Sequence, residues 1–448
     1  MKKTLSECLG FIAIIFSITC YPLSAGESRS VEHLSKIYLE ITDAAEEARS
    51  RSEHPLWQRH IDSVLALLEV DIARVRLGYD LHLEEDGTPS SKSHASITRS
   101  IELHQNILAG LKGDAGDPEN HFGGGKSLIM SFVSKVDRSI QYYSLVLPKG
   151  WSHEKAYPLL TTLHGMGPDH PLTYVHIFFS SKDKGPAPNS DRSKPDSGIL
   201  EPHITIRPWG RGNNWYVGFA GIDVQEALDD LNHRIKTDRA RWYLTGHSMG
   251  GSACWHLAIH RPDLWAAVFP FANAWNYIDT DSTLVENLKG IPFYFQTGEK
   301  DERLVPITYE RAAAIDALGN PMKIEILPDI GHRIPKNLRR HAKQWMFQYS
   351  KPVPDQFTYQ IDPMLSHVNL GYIAPWGVRT RVKSYGEPAH FSFTLDKTSN
   401  TIHLTTRNVK YVEFDPKPLQ LETSMTVTIN GVERYQGEAE LVEFKKID

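Results

Sequence analysis

Ser248, in the run Gly246-His247-Ser248-Met249-Gly250-Gly251, has the surroundings of a nucleophile that attacks an acyl carbon. A serine hydroxyl is weak by itself, so that chemistry needs a base in reach, an acid to orient the base, and donors for the oxyanion that forms. The base is expected after a late strand, where Lys323 to Pro328 leads into Asp329-Ile330-Gly331-His332, and His332 takes that role. The acid is expected after the preceding strand, where Phe293 to Gln296 leads into Thr297-Gly298-Glu299-Lys300-Asp301-Glu302. Asp301 is assigned, with Glu299 and Glu302 as alternatives. The strand Leu159 to Leu163 ends in His164-Gly165-Met166-Gly167, a turn able to aim backbone N–H groups. Met249 and Met166 are the expected oxyanion donors, with Gly165 the alternate and His164 a brace for the loop.

These residues act together only if a scaffold brings them to one edge. Trp242 to Thr245 reads as a strand entering the serine turn, and Ser252 to His260 as a helix leaving it. The tight turn between them needs small neighbours, which Gly246 and Gly250 supply. Around it, apolar runs of strand length recur at Leu128-Val133, Tyr142-Leu147, Leu159-Leu163, Ile204-Arg207, Ala266-Phe271, Pro292-Gln296 and Lys323-Leu327. Amphipathic segments such as Ile222-Ile235 and Tyr309-Leu318 fall between them, the pattern of a mainly parallel sheet covered on both faces. The first two runs flank Asp137-Arg138 and are expected to form an antiparallel hairpin.

Before this region, Val31, Leu34, Ile37, Tyr38 and Ile41 recur at helical spacing, as do Ile61, Val64, Leu65, Leu68, Ile72 and Val75, and then Ile97, Ile101, Leu108 and Leu111. A helical extension is therefore expected over 26–112, a linker over 113–126 and a catalytic domain over 127–350. After Lys351-Pro352-Val353-Pro354 the pattern alternates, as in Phe391-Phe393-Leu395 and Met425-Val427-Ile429, with Asn430-Gly431 a hairpin turn. Residues 354–448 are expected to form an accessory β-sandwich of roughly seven strands.

With 49 Lys plus Arg against 54 Asp plus Glu, the net charge is −5, which does not suggest a nucleic-acid partner. Lys2 and Lys3, the apolar run Cys8 to Cys20 and the small residues before Ala25 read as a signal peptide over 1–25. Export to the periplasm or outside the cell follows, with no stable membrane span after cleavage. Of the three cysteines, Cys254 alone would remain, so no internal disulfide could form. Stability must then come from packing. Cys254 itself reads as a small buried hydrophobe. His256 and His260 have i, i+4 spacing but no third ligand, so no metal is assigned. The polar stretch Ser180 to Gly198 is of low complexity, and its charge-rich part, Ser180 to Arg192, reads as a solvated loop.

The region 127–350 resembles the esterase and prolyl oligopeptidase-like branch of the α/β-hydrolase superfamily, including secreted feruloyl and acetyl esterases and polyhydroxyalkanoate depolymerases. The resemblance lies in Leu163-His164-Gly165, in Arg207-Pro208-Trp209-Gly210-Arg211-Gly212 with Tyr216 and Asp223-Val224, in Asp238-Arg239, in Gly246 to Gly251 with Trp255 and Pro262, in Gly298 with Asp301, and in Gly331-His332. It implies an α/β-hydrolase fold, a covalent acyl-enzyme resolved by water, and no cofactor. It departs from the prolyl oligopeptidases proper, whose large β-propeller has no counterpart in the helical pattern of residues 26–112. The expected activity is a secreted carboxylic ester hydrolase acting on acylated carbohydrate or a related ester. A prolyl oligopeptidase-type peptidase and a non-catalytic binding protein on a hydrolase fold are the alternatives. Trp209, Trp215 and Tyr216 could line the substrate by stacking on a sugar or aromatic ring, or could be buried packing.

Overall fold

The computed structural model describes residues 25–76, 91–122, 125–167, 172, 201–273, 282–362, 375–421, 423–445 and 447. The expected signal peptide, apart from Ala25, and the polar stretch 180–198 lie outside them. The chain divides into two compact units, one built on the residues up to Asp117 and the other on most of the chain from Pro118 onward.

The first unit contains three long helices, α1 (Ala25–Ser50), α2 (Pro55–Arg76) and α3 (Ser91–Lys112). Their apolar stripes meet as the spacing requires: Leu34 of α1, Ile72 and Val75 of α2 and Ile97 of α3 share one core. Asp71 is buried among them and is held by Arg74 at 2.8 Å and by His104 of α3 at 3.2 Å. A buried carboxylate needs such partners, because burial without them is costly. Trp57 also anchors the α1–α2 turn, its indole N–H donating to the Ala48 carbonyl at 2.8 Å.

The stretch expected to be a linker is more ordered than its glycine content suggests. A 3-10 turn spans Asp114–Gly116 and a short helix, α4, spans Pro118–Phe122. Pro118 can start a helix because the first turn does not use its missing N–H.

The second unit is built on an eight-stranded sheet in the order β1-β2-β4-β3-β5-β6-β7-β8. Its strands are β1 (Leu128–Val133), β2 (Ile140–Val146), β3 (Tyr157–Leu163), β4 (Ile204–Pro208), β5 (Thr237–His247), β6 (Ala267–Phe271), β7 (Phe293–Gly298) and β8 (Met322–Leu327). β1 and β2 form the expected antiparallel hairpin, β2 also runs antiparallel to β4, and every later pairing is parallel. Helices α5 (Phe219–Asn232), α6 (Met249–His260), α7 (Leu304–Ala317) and α8 (Lys336–Met346) occur between and after the parallel strands. Because both faces are covered, central strands such as β6, Ala-Val-Phe-Pro-Phe, are buried at every position.

The carboxy-terminal strands are β9 (Gln356–Ile361), β10 (Val378–Val382), β11 (Ala389–Asp396), β12 (Thr401–Arg407), β13 (Val409–Phe414), β14 (Ser424–Ile429), β15 (Val432–Glu438) and β16 (Val442–Lys445). They form a five-stranded sheet, β15-β14-β12-β11-β9, and a three-stranded sheet, β10-β13-β16. Phe391, Phe393 and Leu395 of the first and Val378, Val412 and Phe414 of the second enter a single core. Alternation puts these side chains on one face of each strand. Asn430 and Gly431, with φ of 53° and 80°, make the tight β14–β15 turn. The parallel pairing of β12 with β14 was not expected from sequence.

Candidate active site

The turn after β5 has the geometry a nucleophile elbow requires. Ser248 sits at φ 55°, ψ −115°, a conformation that L-residues avoid. It is held there by its own N–H, which donates to the Phe271 carbonyl at 3.1 Å, and by its carbonyl, which accepts the first bond of α6 from Ser252 at 3.0 Å. A Cβ at Gly246 would lie 2.2 Å from the Gly250 carbonyl oxygen, and one at Gly250 would lie 2.5 Å from that of Leu163. Both neighbours are backbone, so neither position has room for a larger residue.

The β3 loop packs directly on the elbow. A Cβ at Gly165 would fall 3.4 Å from Ser248 Cβ, which places this loop beside the serine. Met249, as the first residue of α6, has an N–H that the helix itself does not use. The Met166 side chain is exposed and Met249 is buried.

The loop is clamped from behind. Asn213 grips Gly167 in both directions, accepting from its N–H at 3.0 Å and donating to its carbonyl at 2.6 Å. The His164 N–H donates to the Tyr216 hydroxyl at 3.1 Å, and the His164 ring reaches the Trp209 carbonyl at 2.9 Å and stacks on the Trp209 indole. His164 therefore braces the loop, as expected.

Trp209 is 7% exposed and Tyr216 is fully buried. These two rings form the floor beneath the loop and do not offer an open stacking surface, which corrects the substrate-lining expectation for both. Trp215 is half-buried, at φ 63°.

The segment bearing these aromatics is itself pinned by Arg211. Its guanidinium pairs with Asp137 at 2.5 Å and with Asp223 of α5 at 2.8 Å. Burial raises the Asp223 carboxyl to about 6 despite this pairing, whereas the guanidinium holds the Asp137 carboxyl well below the usual range.

Asp301 and His332 also meet. Asp301 begins the turn into α7, and His332 follows the loop after β8. His332 Nδ1–H donates to Asp301 Oδ2 at 2.5 Å, with the imidazole 45% exposed and the carboxylate 12%. Neither rival acid does this. Glu299 accepts the Asp329 N–H at 3.1 Å and so shapes the loop before the histidine, while Glu302 is exposed.

The two halves are joined by His247. Its Nε2 lies 2.9 Å from the main-chain carbonyl of His332, and the two rings are 4.8 Å apart. A carbonyl can only accept, so His247 Nε2 carries the hydrogen. Burial pushes His247 down to about 4, which keeps the ring neutral in this role. Sequence reasoning missed His247 and Asn213, because neither has a local pattern that names its distant partner.

The strand order, the elbow after β5 and the sequence order of Ser248, Asp301 and His332 identify the architecture. The fold is that of the α/β hydrolases. No protein-family model matches the chain. An uncharacterized secreted protein of Arthroderma benhamiae is 29% identical over a match covering 28% of this chain and 17% of that protein. The α/β-hydrolase chain thus spans under a fifth of that relative's length. Among solved structures it is similar to a thermostable esterase, at 20% identity and TM-score 0.40, over 50% of this chain and 63% of the other. It is also similar to a ferulic acid esterase at 19% identity and TM-score 0.40, over 50% and 98% of the two chains. A ferulic acid esterase from Anaeromyces mucronatus, solved with ferulic acid, is 14% identical with TM-score 0.40, over 51% and 91%.

The His256 and His260 rings of α6 meet in a tilted contact with centroids 4.3 Å apart, and His260 Nε2 reaches Asp362 at 3.2 Å, so this pair joins the hydrolase core to the chain following β9. Cys254 is fully buried, and burial pushes its thiol up, the state of an inert cysteine. Among the described residues, no helix is long and apolar enough to cross a membrane.

Proposed function

We propose that this α/β hydrolase is an exported serine carboxylic ester hydrolase acting on acylated carbohydrate or a related ester. Ser248 is the nucleophile, His332 the general base and Asp301 its orienting acid. The observation that carries the reading is the 2.5 Å bond between His332 Nδ1 and Asp301 Oδ2, made by a histidine whose carbonyl is tied to the residue preceding the strained serine.

His332 takes the Ser248 proton as the hydroxyl attacks the acyl carbon, and Asp301 holds the ring in the tautomer with Nε2 bare. The tetrahedral oxyanion accepts hydrogen bonds from the Met249 N–H and from the Gly165–Met166 loop, and the positive end of α6 favours the developing charge. His332 then gives its proton to the leaving alcohol. Water attacks the acyl-enzyme by the same route in reverse.

In support of an ester over a peptide, the residues described ahead of the hydrolase core form long helices, unlike the β-propeller of prolyl oligopeptidases. A panel of short-chain acyl, feruloyl and peptide substrates, run on wild type and Ser248→Ala, tests the proposal. Ester turnover lost in the variant supports it, and peptide cleavage at comparable rates would favour the peptidase. A failure of a fluorophosphonate to label Ser248 would leave only a binding role.

A further inference from the structure

A second polar cleft opens at the opposite end of the sheet from Ser248. Arg239, Lys351, Asp263, Trp376 and Gln420 line a cavity of about 70 Å³ where the hydrolase core meets the carboxy-terminal strands. Arg239 lies near the start of β5 and Ser248 just beyond its end, so roughly 30 Å of extended chain separates the two.

The one carboxylate in the wall is already committed. Asp263 accepts both arms of the buried Arg261, at 2.8 and 2.9 Å, and also the Trp376 backbone N–H at 3.3 Å. Besides Arg261 the cleft carries two further cations, Arg239 and Lys351, whose charged forms Asp263 also favours, as Asp229 does for Arg239, so cations outnumber the carboxylate in the wall. The Arg239 guanidinium lies over the Trp242 ring, 3.8 Å from its centroid. Stacking engages the face of the guanidinium and leaves its N–H edges directed in plane, where a forked acceptor binds. Lys351 is tethered by its own N–H to the Ala240 carbonyl at 2.7 Å, and burial pushes its ammonium down to about 8. At this ammonium burial outweighs the attraction of Asp263.

The third donor is independent of these charges. Trp376 is 5% exposed, and its indole Nε1 is buried with no hydrogen-bond acceptor among the described residues. A buried donor without an acceptor is costly and uncommon in folded proteins. Indole nitrogen can only donate, so the missing partner is an acceptor.

We propose that this cleft binds a small oxyanion, a phosphate or a carboxylate group, held by Arg239, Lys351 and the Trp376 indole N–H. Such a group would link two elements of the hydrolase core to the chain before β10, and bound anion would therefore stabilise the association of the carboxy-terminal strands with the core. The site is separate from the serine chemistry and does not depend on it.

The test is calorimetric titration of the full-length protein with inorganic phosphate, acetate or chloride at matched ionic strength and neutral pH. Saturable binding of phosphate or acetate is expected, with the stronger of the two identifying the group. Lys351→Gln and Arg239→Gln should each weaken it about tenfold, and Ser248→Ala should leave it unchanged. Trp376→Phe keeps an aromatic ring but removes the N–H together with part of the indole, so it should also weaken binding while circular dichroism reports an intact fold. No saturable binding of either oxyanion, an equal response to chloride, or undiminished binding in all three cleft variants would overturn the proposal.

Discussion

His247 donates from Nε2 to the main-chain carbonyl of His332 across 2.9 Å, so the residue before the serine holds the loop that carries the base. His247→Gln can retain an N–H donor and His247→Leu cannot. The leucine variant is expected to lose several-fold to about tenfold in kcat, the equivalent of roughly 1 kcal/mol for one hydrogen bond. The glutamine variant should recover much of the loss, with KM little changed in both. Steady-state kinetics on the two variants checks this.

The same residue sets a pH dependence of stability. Burial lowers folded His247 to about 4 from an ordinary value of 6.5, so between these values the unfolded chain binds the proton more readily. Its contribution is fully present above about pH 6.5 and is lost as the pH falls toward 4. The full loss amounts to about 3 kcal/mol. Denaturant unfolding of wild type and His247→Gln at pH 7 and pH 4.5 isolates it, because other titrating groups are common to both. An identical pH slope in the two proteins would contradict the assignment.

Ser248→Ala and His332→Ala should each remove nearly all turnover, roughly 10⁶-fold for residues that act as a unit, and the double variant should be no worse than either. Asp301→Asn should also be severe, whereas Glu299→Gln and Glu302→Gln should retain most of kcat. Single-turnover rates on the three carboxylate variants decide between the three acids.

Asn213→Ala removes both bonds to Gly167 and lets the β3 loop relax away from Ser248. The expected result is a fall in kcat of about ten- to a hundredfold, below the 2.7 to 4 kcal/mol typical of losing an oxyanion donor outright. Thermal stability should change by only about 1–2 kcal/mol, since two hydrogen bonds are lost and no core is opened.

Trp209→Ala and Tyr216→Ala separate packing from substrate contact. Each should destabilise the fold by about 3–5 kcal/mol, the usual cost of emptying a large aromatic site. Trp215→Ala, at a half-buried position, should cost under about 1 kcal/mol. Equal, small effects for all three, seen by chemical denaturation, would restore the stacking role to Trp209 and Tyr216.

The features legible in sequence were those made by neighbours along the chain. Apolar spacing near 3.6 marked the helices around Leu34, Ile72 and Ile97, and runs such as Ala267-Val268-Phe269 marked strands buried on both faces. Gly246-His247-Ser248-Met249-Gly250 announced a tight strand-to-helix turn because glycines stand two positions to either side of the serine. What followed from tertiary structure alone were contacts between residues far apart in sequence. Asp301, and not Glu299 or Glu302, faces His332, since three carboxylates within four positions point in different directions once the turn into α7 forms. Trp209 and Tyr216 became the floor of a loop 45 and 52 residues earlier in the chain, at His164. The joining of His247 to His332, and of Asn213 to Gly167, has no signature in either segment, because a hydrogen bond between distant residues depends on where the sheet puts their backbones and not on local spacing.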